Sequence, residues 1–369
     1  MHNSSGAALD LPAAEFAARV KRLRAWQRRE RLDALLISSE VNRYYFTGIR
    51  ASNGVLLSEL PGEPVFYTDF RYLLAARKRL TFMASAKIWH PSDEVTVMAE
   101  RGRGWHRAGY EGKMPAARFM EWKKALPDVE WVNIDQGLAA LRSVKSRAEQ
   151  RVMRAAVAAN DKALARVLRQ VRPGMTEWDI SVLVRREAET LGQGEAFEAV
   201  VCVGRNAAEC HHHPGTARLR TGQALLIDMG VRRDHYCSDL TRTVCVGGTP
   251  APELAAIHRV VVEANRKAIC AIRPGRRCCD IDAVARKVIE RAGYGERFGH
   301  SLGHGLGLEV HEAPALSSAC ETLLEPGMVM TVEPGIYLPG RFGVRVEDVV
   351  LVTQSGCEAL SHSPHALQG

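Results

Sequence analysis

The chain has 369 residues, 46% of them apolar, which is enough for two separate cores and excludes a disordered or low-complexity protein. Its formal net charge is +8, but Lys and Arg are scattered and form no run of five, so no nucleic-acid partner is expected. No apolar run nears the roughly 20 residues that span a bilayer, which excludes a membrane helix. Met1 is followed by polar residues that do not read as a signal peptide. The nine cysteines form no CxxC pair, and Cys278 and Cys279 are neighbours, which seldom bridge each other. Reduced thiols and a cytoplasmic location are the expectation.

In chain order, residues 13–31 read as an amphipathic helix with Phe16, Val20, Leu23 and Trp26 on one face. A buried strand follows at 34–37, then paired strands at 55–57 and 64–68, then a helix over 72–80. This alternation predicts a small α/β domain over about 135 residues. Ser146, with Glu149 three residues on, forms a capping box for a helix that runs to about Val171 and stops at Arg172-Pro173-Gly174. The domain boundary is therefore expected within 135–144. Beyond it, helices alternate with strands such as 224–227 and 328–332.

The second half repeats itself weakly. Arg172-Pro173-Gly174 and Asp179-Ile180 recur 101 residues later as Arg273-Pro274-Gly275 and Asp280-Ile281. Nine identities at that offset favour duplication over chance. The stretch 222–230 likewise matches 327–335: a glycine, an apolar strand, a carboxylate and a glycine. Two such halves would deliver Asp228 and Glu333 to one pseudo-symmetric site.

A carboxylate closing an apolar strand is costly unless it is paired or bound to metal. If 232–235 form a four-residue hairpin loop, Asp239 lies directly opposite Asp228 on the next strand. Opposed Cβ atoms are about 4.5–5.5 Å apart, so two like charges there require a cation between them. Glu333 and Glu347 repeat the arrangement, although Glu347 alone could pair with Arg345. The segment 299–312 sets His300, His304 and His311 among glycines, and imidazole with carboxylates suits Mn, Co, Zn or Fe. In 210–214, contiguous residues cannot all face one ion; one histidine aimed at the site is the functional reading and surface histidines the bland one.

Taken together, these motifs resemble the pita-bread metallopeptidases, in the Xaa-Pro branch that contains aminopeptidase P and prolidase. The resemblance rests on 42–48 and 67–72 in the front half. In the back half it rests on 227–230, 238–243, 303–305, 332–337 and 345–348. It implies an α/β (α+β) chain, with a creatinase-type N-terminal domain over 1–140 and a pseudo-twofold pita-bread catalytic domain over 141–369. It implies two divalent ions, manganese by expectation, on Asp228, Asp239, His304, Glu333 and Glu347. His211 would sit near the scissile peptide and His311 would stabilise the tetrahedral intermediate, while His300 and Arg345 would bind substrate. A metal-activated water would attack, with Glu333 carrying its proton. The substrates implied are peptides with proline second, and the assembly a homodimer or larger. Residues 312–332 contain no Arg or Lys to hold a dipeptide's carboxylate. That favours an Xaa-Pro aminopeptidase over the alternative, a dipeptidase. A non-catalytic interaction domain is disfavoured because all five ligand positions are intact.

Overall fold

The structure is a computed structural model that describes residues 11–83, 85–88 and 93–368. The polar stretch after Met1, read above as no signal peptide, lies outside them. One compact unit ends at Arg142 and a second begins at Ser143.

The first unit is a six-stranded mixed sheet in the order Ser85–Ile88, Val65–Thr68, Val55–Glu59, Ala34–Ile37, Arg107–Tyr110, Glu130–Asn133. Its central strand, Ala34–Ile37, is buried throughout, as a continuous apolar run requires. The first helix is Ala13–Arg29, with Phe16, Val20 and Leu23 buried and Trp26 only half-buried. The helix expected at 72–80 begins earlier, at Phe70, because the Asp69 side chain caps it by accepting from the Arg71 N–H. The segment 135–144, expected to be a boundary, is mostly the helix Asp135–Ser143.

In the second unit the capping box forms as the sequence requires. Ser146 Oγ accepts from Glu149 N and Glu149 accepts from Ser146 N, which starts the helix Arg147–Gln170. This helix and Glu177–Leu191 cover a three-stranded sheet ordered Leu240–Cys245, Ala224–Met229, Val200–Val203. The helices Pro252–Ala271 and Cys278–Arg291 cover a five-stranded sheet whose centre is Gly303–Gly305, Val329–Val332 and Asp348–Val352. Each half has its own apolar cluster. One contains Leu164, Val184, Ile227 and Val244; the other contains Ile257, Ile281, Met330 and Val350.

The repeat extends further than the sequence comparison reached. Gly174 N donates to Leu219 O at 2.8 Å, and its counterpart Gly275 N donates to Leu324 O at 2.9 Å. The fully buried Asn160 donates to Met229 O at 2.8 Å, and Asn265, also fully buried, donates to Val332 O at 2.9 Å. Each asparagine thus ties the first helix of its half to the backbone beside a carboxylate: Met229 follows Asp228, and Val332 precedes Glu333. All nine cysteines are free thiols. Among the described residues, no helix is long and apolar enough to cross a membrane.

Candidate metal centre

The expected hairpin register is wrong by two residues. The loop is not 232–235 but the pair Asp234-His235, with φ of 46° and 70°, flanked by Arg233 paired with Tyr236. Two residues in the left-handed region make the tight turn whose twist matches the strands, and Asp tolerates that region better than most residues. Thr241, not Asp239, therefore lies opposite Asp228. Asp239 sits just before that ladder, after Ser238, whose hydroxyl bonds both the N–H and the carbonyl of Val231. Gly230 has no room for a side chain there, since a Cβ would lie 2.4 Å from Ser238 O. In the other half the expectation matches the geometry: Val332 pairs with Asp348, and the same register sets Glu333 across from Glu347.

Loop and strand geometry converge on one cavity of about 640 Å³. His211, Asp228, Asp239, His300, His304, His311, Glu333, Arg345 and Glu347 all line it. Ligand atoms of Asp239, His304 and Glu347 lie within 4.8 Å of one another. His304 Nε2 is 3.4 Å from Glu333 Oε1 and 3.7 Å from Asp239 Oδ2. The His304 Nδ1–H donates to Gly305 O at 3.0 Å, which fixes the tautomer and leaves Nε2 with its lone pair toward the carboxylates. Gly303 before it is required by close strand packing, because a Cβ would lie 2.0 Å from Thr331 O.

Burial and mutual repulsion raise the acids. Asp239 and Glu347 are pushed well above the carboxylate range, by burial first and then by neighbouring carboxylates. Burial likewise lifts Glu333 to about 8, against the pull of Arg345. It lowers His304 to about 4. Asp228 Oδ1 and Asp239 Oδ1 are buried oxygens with no hydrogen-bond partner. Four carboxylates face one cation, Arg345, so the set is short of positive charge. Unpartnered oxygens, a preset imidazole lone pair and excess negative charge fit divalent metal ions.

Arg345 is not the partner of Glu347. Its Nη2 donates to Asp228 Oδ2 at 2.5 Å and its Nη1 to the Tyr337 hydroxyl at 2.9 Å. His300 Nδ1 donates to Ser301 O at 2.8 Å, so its Nε2 accepts from Tyr337, also at 2.8 Å. Glu347 instead accepts from Thr241 Oγ1 at 2.7 Å, and its N–H donates to Thr241 O, which stitches the two halves together. Tyr337 and Thr241 were not singled out from sequence, since a Tyr or a Thr within a strand carries no distinctive spacing.

The histidine run divides as its chemistry requires. His211 lines the cavity. His212 turns away, donating to the buried Glu177 at 2.9 Å and to Glu209 at 3.2 Å. Burial opposes its charging, but the bonds to Glu177 and Glu209 outweigh that and raise its pKa. His213 is exposed. His311 is also exposed, with its ring centroid 4.4 Å from that of His304, edge to face. Its loop is held by Glu312, which accepts from Leu308 N and Glu309 N and pairs with the buried Lys145 at 3.1 Å.

A cavity walled by carboxylates in and beside strands and by a metal-ready imidazole is that of a metal-dependent hydrolase. Residues 151–354 match Metallopeptidase family M24, and residues 19–144 match the Creatinase/Prolidase N-terminal domain. The chain belongs to metallopeptidase family M24. It is 32% identical to an Xaa-Pro dipeptidase of Pyrococcus horikoshii, over 95% of this chain and 98% of that protein. Among solved structures, it is similar to an Xaa-Pro dipeptidase from Bacillus anthracis, with TM-score 0.90 and 33% identity, over 97% of this chain and 99% of that one. It is similar too to an X-Pro aminopeptidase from Thermotoga maritima, with TM-score 0.84 and 32% identity, over 93% of this chain and 100% of that one. The creatinase-type and pita-bread architecture is therefore that of this chain, and the chain is a metal-dependent peptidase.

Proposed function

We propose that the chain is an Xaa-Pro dipeptidase. This replaces the aminopeptidase expected from the missing basic residue. The observation that carries it is the near full-length likeness to proteins that are themselves Xaa-Pro dipeptidases. A cavity of about 640 Å³ also suits a ligand of dipeptide size. Manganese is the expected metal and a homodimer the expected assembly.

Asp228, Asp239, His304, Glu333 and Glu347 would hold two divalent ions. Such ions supply Lewis-acid polarisation of a carbonyl and lower the pKa of bound water from about 15.7 toward 7. Glu333, a carboxylate 3.4 Å from His304 Nε2 inside the cavity, can take the proton of the attacking water and give it to the leaving amine. His311 stands exposed beside His304, where it can donate to the developing oxyanion. His211 binds the peptide near proline. His300 and Tyr337 hold Arg345 against Asp228, fixing that carboxylate's orientation.

The aminopeptidase reading retains one observation. Arg345 is the only Arg or Lys lining the cavity among the described residues, and Asp228 occupies it. Turnover of Ala-Pro, Ala-Pro-Ala and Ala-Ala by the manganese-loaded protein separates the readings. The dipeptidase cleaves Ala-Pro at least tenfold faster than Ala-Pro-Ala. The reverse order selects the aminopeptidase, and equal turnover of Ala-Ala removes the proline preference altogether.

A further inference from the structure

Away from the metal centre, the helix Pro252–Ala271 and the tail residues His365 and Ala366 enclose a second concavity of about 470 Å³. His258 and Arg266 share one face of that helix, two turns apart, and Arg259, Glu263 and Lys267 flank them. His258 is only 5% exposed, lines the concavity and has no hydrogen-bond partner among the described residues. A buried imidazole usually finds a partner, because leaving its N–H unpaired costs about 1–3 kcal/mol.

The charge around it is unbalanced. Lys267 pairs with Glu263 at 2.6 Å, but neither Arg259 nor Arg266 has a carboxylate partner among the described residues. Two free guanidinium groups thus face the concavity beside one unsatisfied imidazole. Burial first, then His365, Arg242 and Arg259, hold the His258 pKa down to about 4. A basic helix face is ordinarily just solvated surface. Here the face is concave, and its most buried polar group, the His258 imidazole, has no hydrogen-bond partner among the described residues.

The wall opposite the helix is fixed. His365 Nε2 donates to Asp348 Oδ2 at 2.8 Å, and Arg242 Nη2 donates to Asp348 Oδ1 at 2.7 Å. Arg242 also holds the carbonyls of Ser363 and Pro364, at 2.7 and 3.1 Å. The segment that carries His365 is therefore held in place before any ligand arrives, through Asp348, the residue that follows Glu347.

We propose that this concavity binds a phosphate dianion, either free orthophosphate or the phosphate monoester group of a small molecule. Guanidinium forks match phosphate oxygens in pairs, and two of them balance a dianion where a carboxylate would leave one positive charge over. The His258 N–H supplies the buried donor.

Calorimetric titration of the metal-loaded full chain at low ionic strength tests this, with orthophosphate and glycerol 3-phosphate as probes. One equivalent binds, and Arg259→Ala/Arg266→Ala weakens it at least tenfold. Both arginines are exposed, so the double variant keeps its fold, which circular dichroism checks. Glu263→Gln, which removes the carboxylate beside them, tightens binding. Tighter binding of orthophosphate identifies the free anion as the ligand, and tighter binding of glycerol 3-phosphate identifies a monoester. Absence of binding by both probes overturns the proposal. So does equal affinity in the double variant, which would place the phosphate elsewhere, such as on the metals.

Discussion

The half of the catalytic unit that begins at Arg147 and the half that begins at Pro252 share a scaffold but differ in what they bring to the cavity. Each packs two helices on a sheet, and each buries an asparagine that holds the backbone next to a carboxylate. Their hairpins differ. The tight Asp234-His235 turn offsets Asp239 from Asp228, whereas the longer connection after Glu333 leaves Glu333 across from Glu347. The second half alone supplies His304 and Arg345, and Arg345 reaches back to Asp228 in the first. Duplication thus explains where the carboxylates sit. His304 and Arg345, which only the second half supplies, break the symmetry, which a site needs if it is to bind a directional peptide.

The comparison breaks hardest at the ligands. If the two halves contribute jointly, Asp239→Asn in the first should abolish metal retention as thoroughly as His304→Ala in the second. Each should lower kcat/KM by at least about 1,000-fold, roughly 4 kcal/mol. Metal content and turnover of the dialysed variants check this; full activity in either would detach that half from the chemistry.

His311 belongs only to the second half. As an oxyanion donor it is worth about 100-fold in kcat. His311→Ala should show that loss with both metals retained and KM little changed. Near-normal kcat would leave His311 as a ring packed on His304.

Removing metal should expose the shared cost of the carboxylates. In the folded metal-free chain, Asp239, Glu333 and Glu347 have raised pKa values, Glu333 to about 8. The folded form then binds more protons than the unfolded one near neutrality. Stability is fully present below about pH 4 and is lost as the pH rises through 8. Thermal unfolding after chelation should show a fall of about 4 kcal/mol between pH 5 and 9 from Glu333 alone, which added metal reverses. A flat profile would mean that the carboxylates carry no such strain.

The smallest effect tests the scaffold alone. Asn160→Ala and Asn265→Ala should each cost about 1–3 kcal/mol in denaturant unfolding. Similar losses sharpen the symmetry. A loss confined to one variant would mean that only one asparagine supports its strand.

Much of this was legible from residue order. The capping box at Ser146, the Pro-Gly stops and the two glycine-strand-carboxylate-glycine runs each follow from short-range rules, and each holds in the structure. The pairing of Asn160 with Asn265 was missed because a single buried polar residue has no periodic signal; only the backbone carbonyl it meets reveals its role. The Asp228 register failed because loop length was assumed, and Asp with His can enter the left-handed region that closes a two-residue turn.

The sequence by itself determined the elements, the internal repeat and the carboxylates and imidazole expected to hold metal, because these depend on local propensity and on the high cost of burying a charge. Tertiary structure alone decided which groups meet. It gave Arg345 to Asp228 rather than to its near neighbour Glu347, and it brought Thr241 to Glu347. It also turned His211 to the cavity and His212 to Glu177. Residues 209–212 form a turn, closed by His212 N donating to Glu209 O at 3.3 Å, so which of two neighbouring histidines faces the site depends on how that turn is held against the rest of the fold.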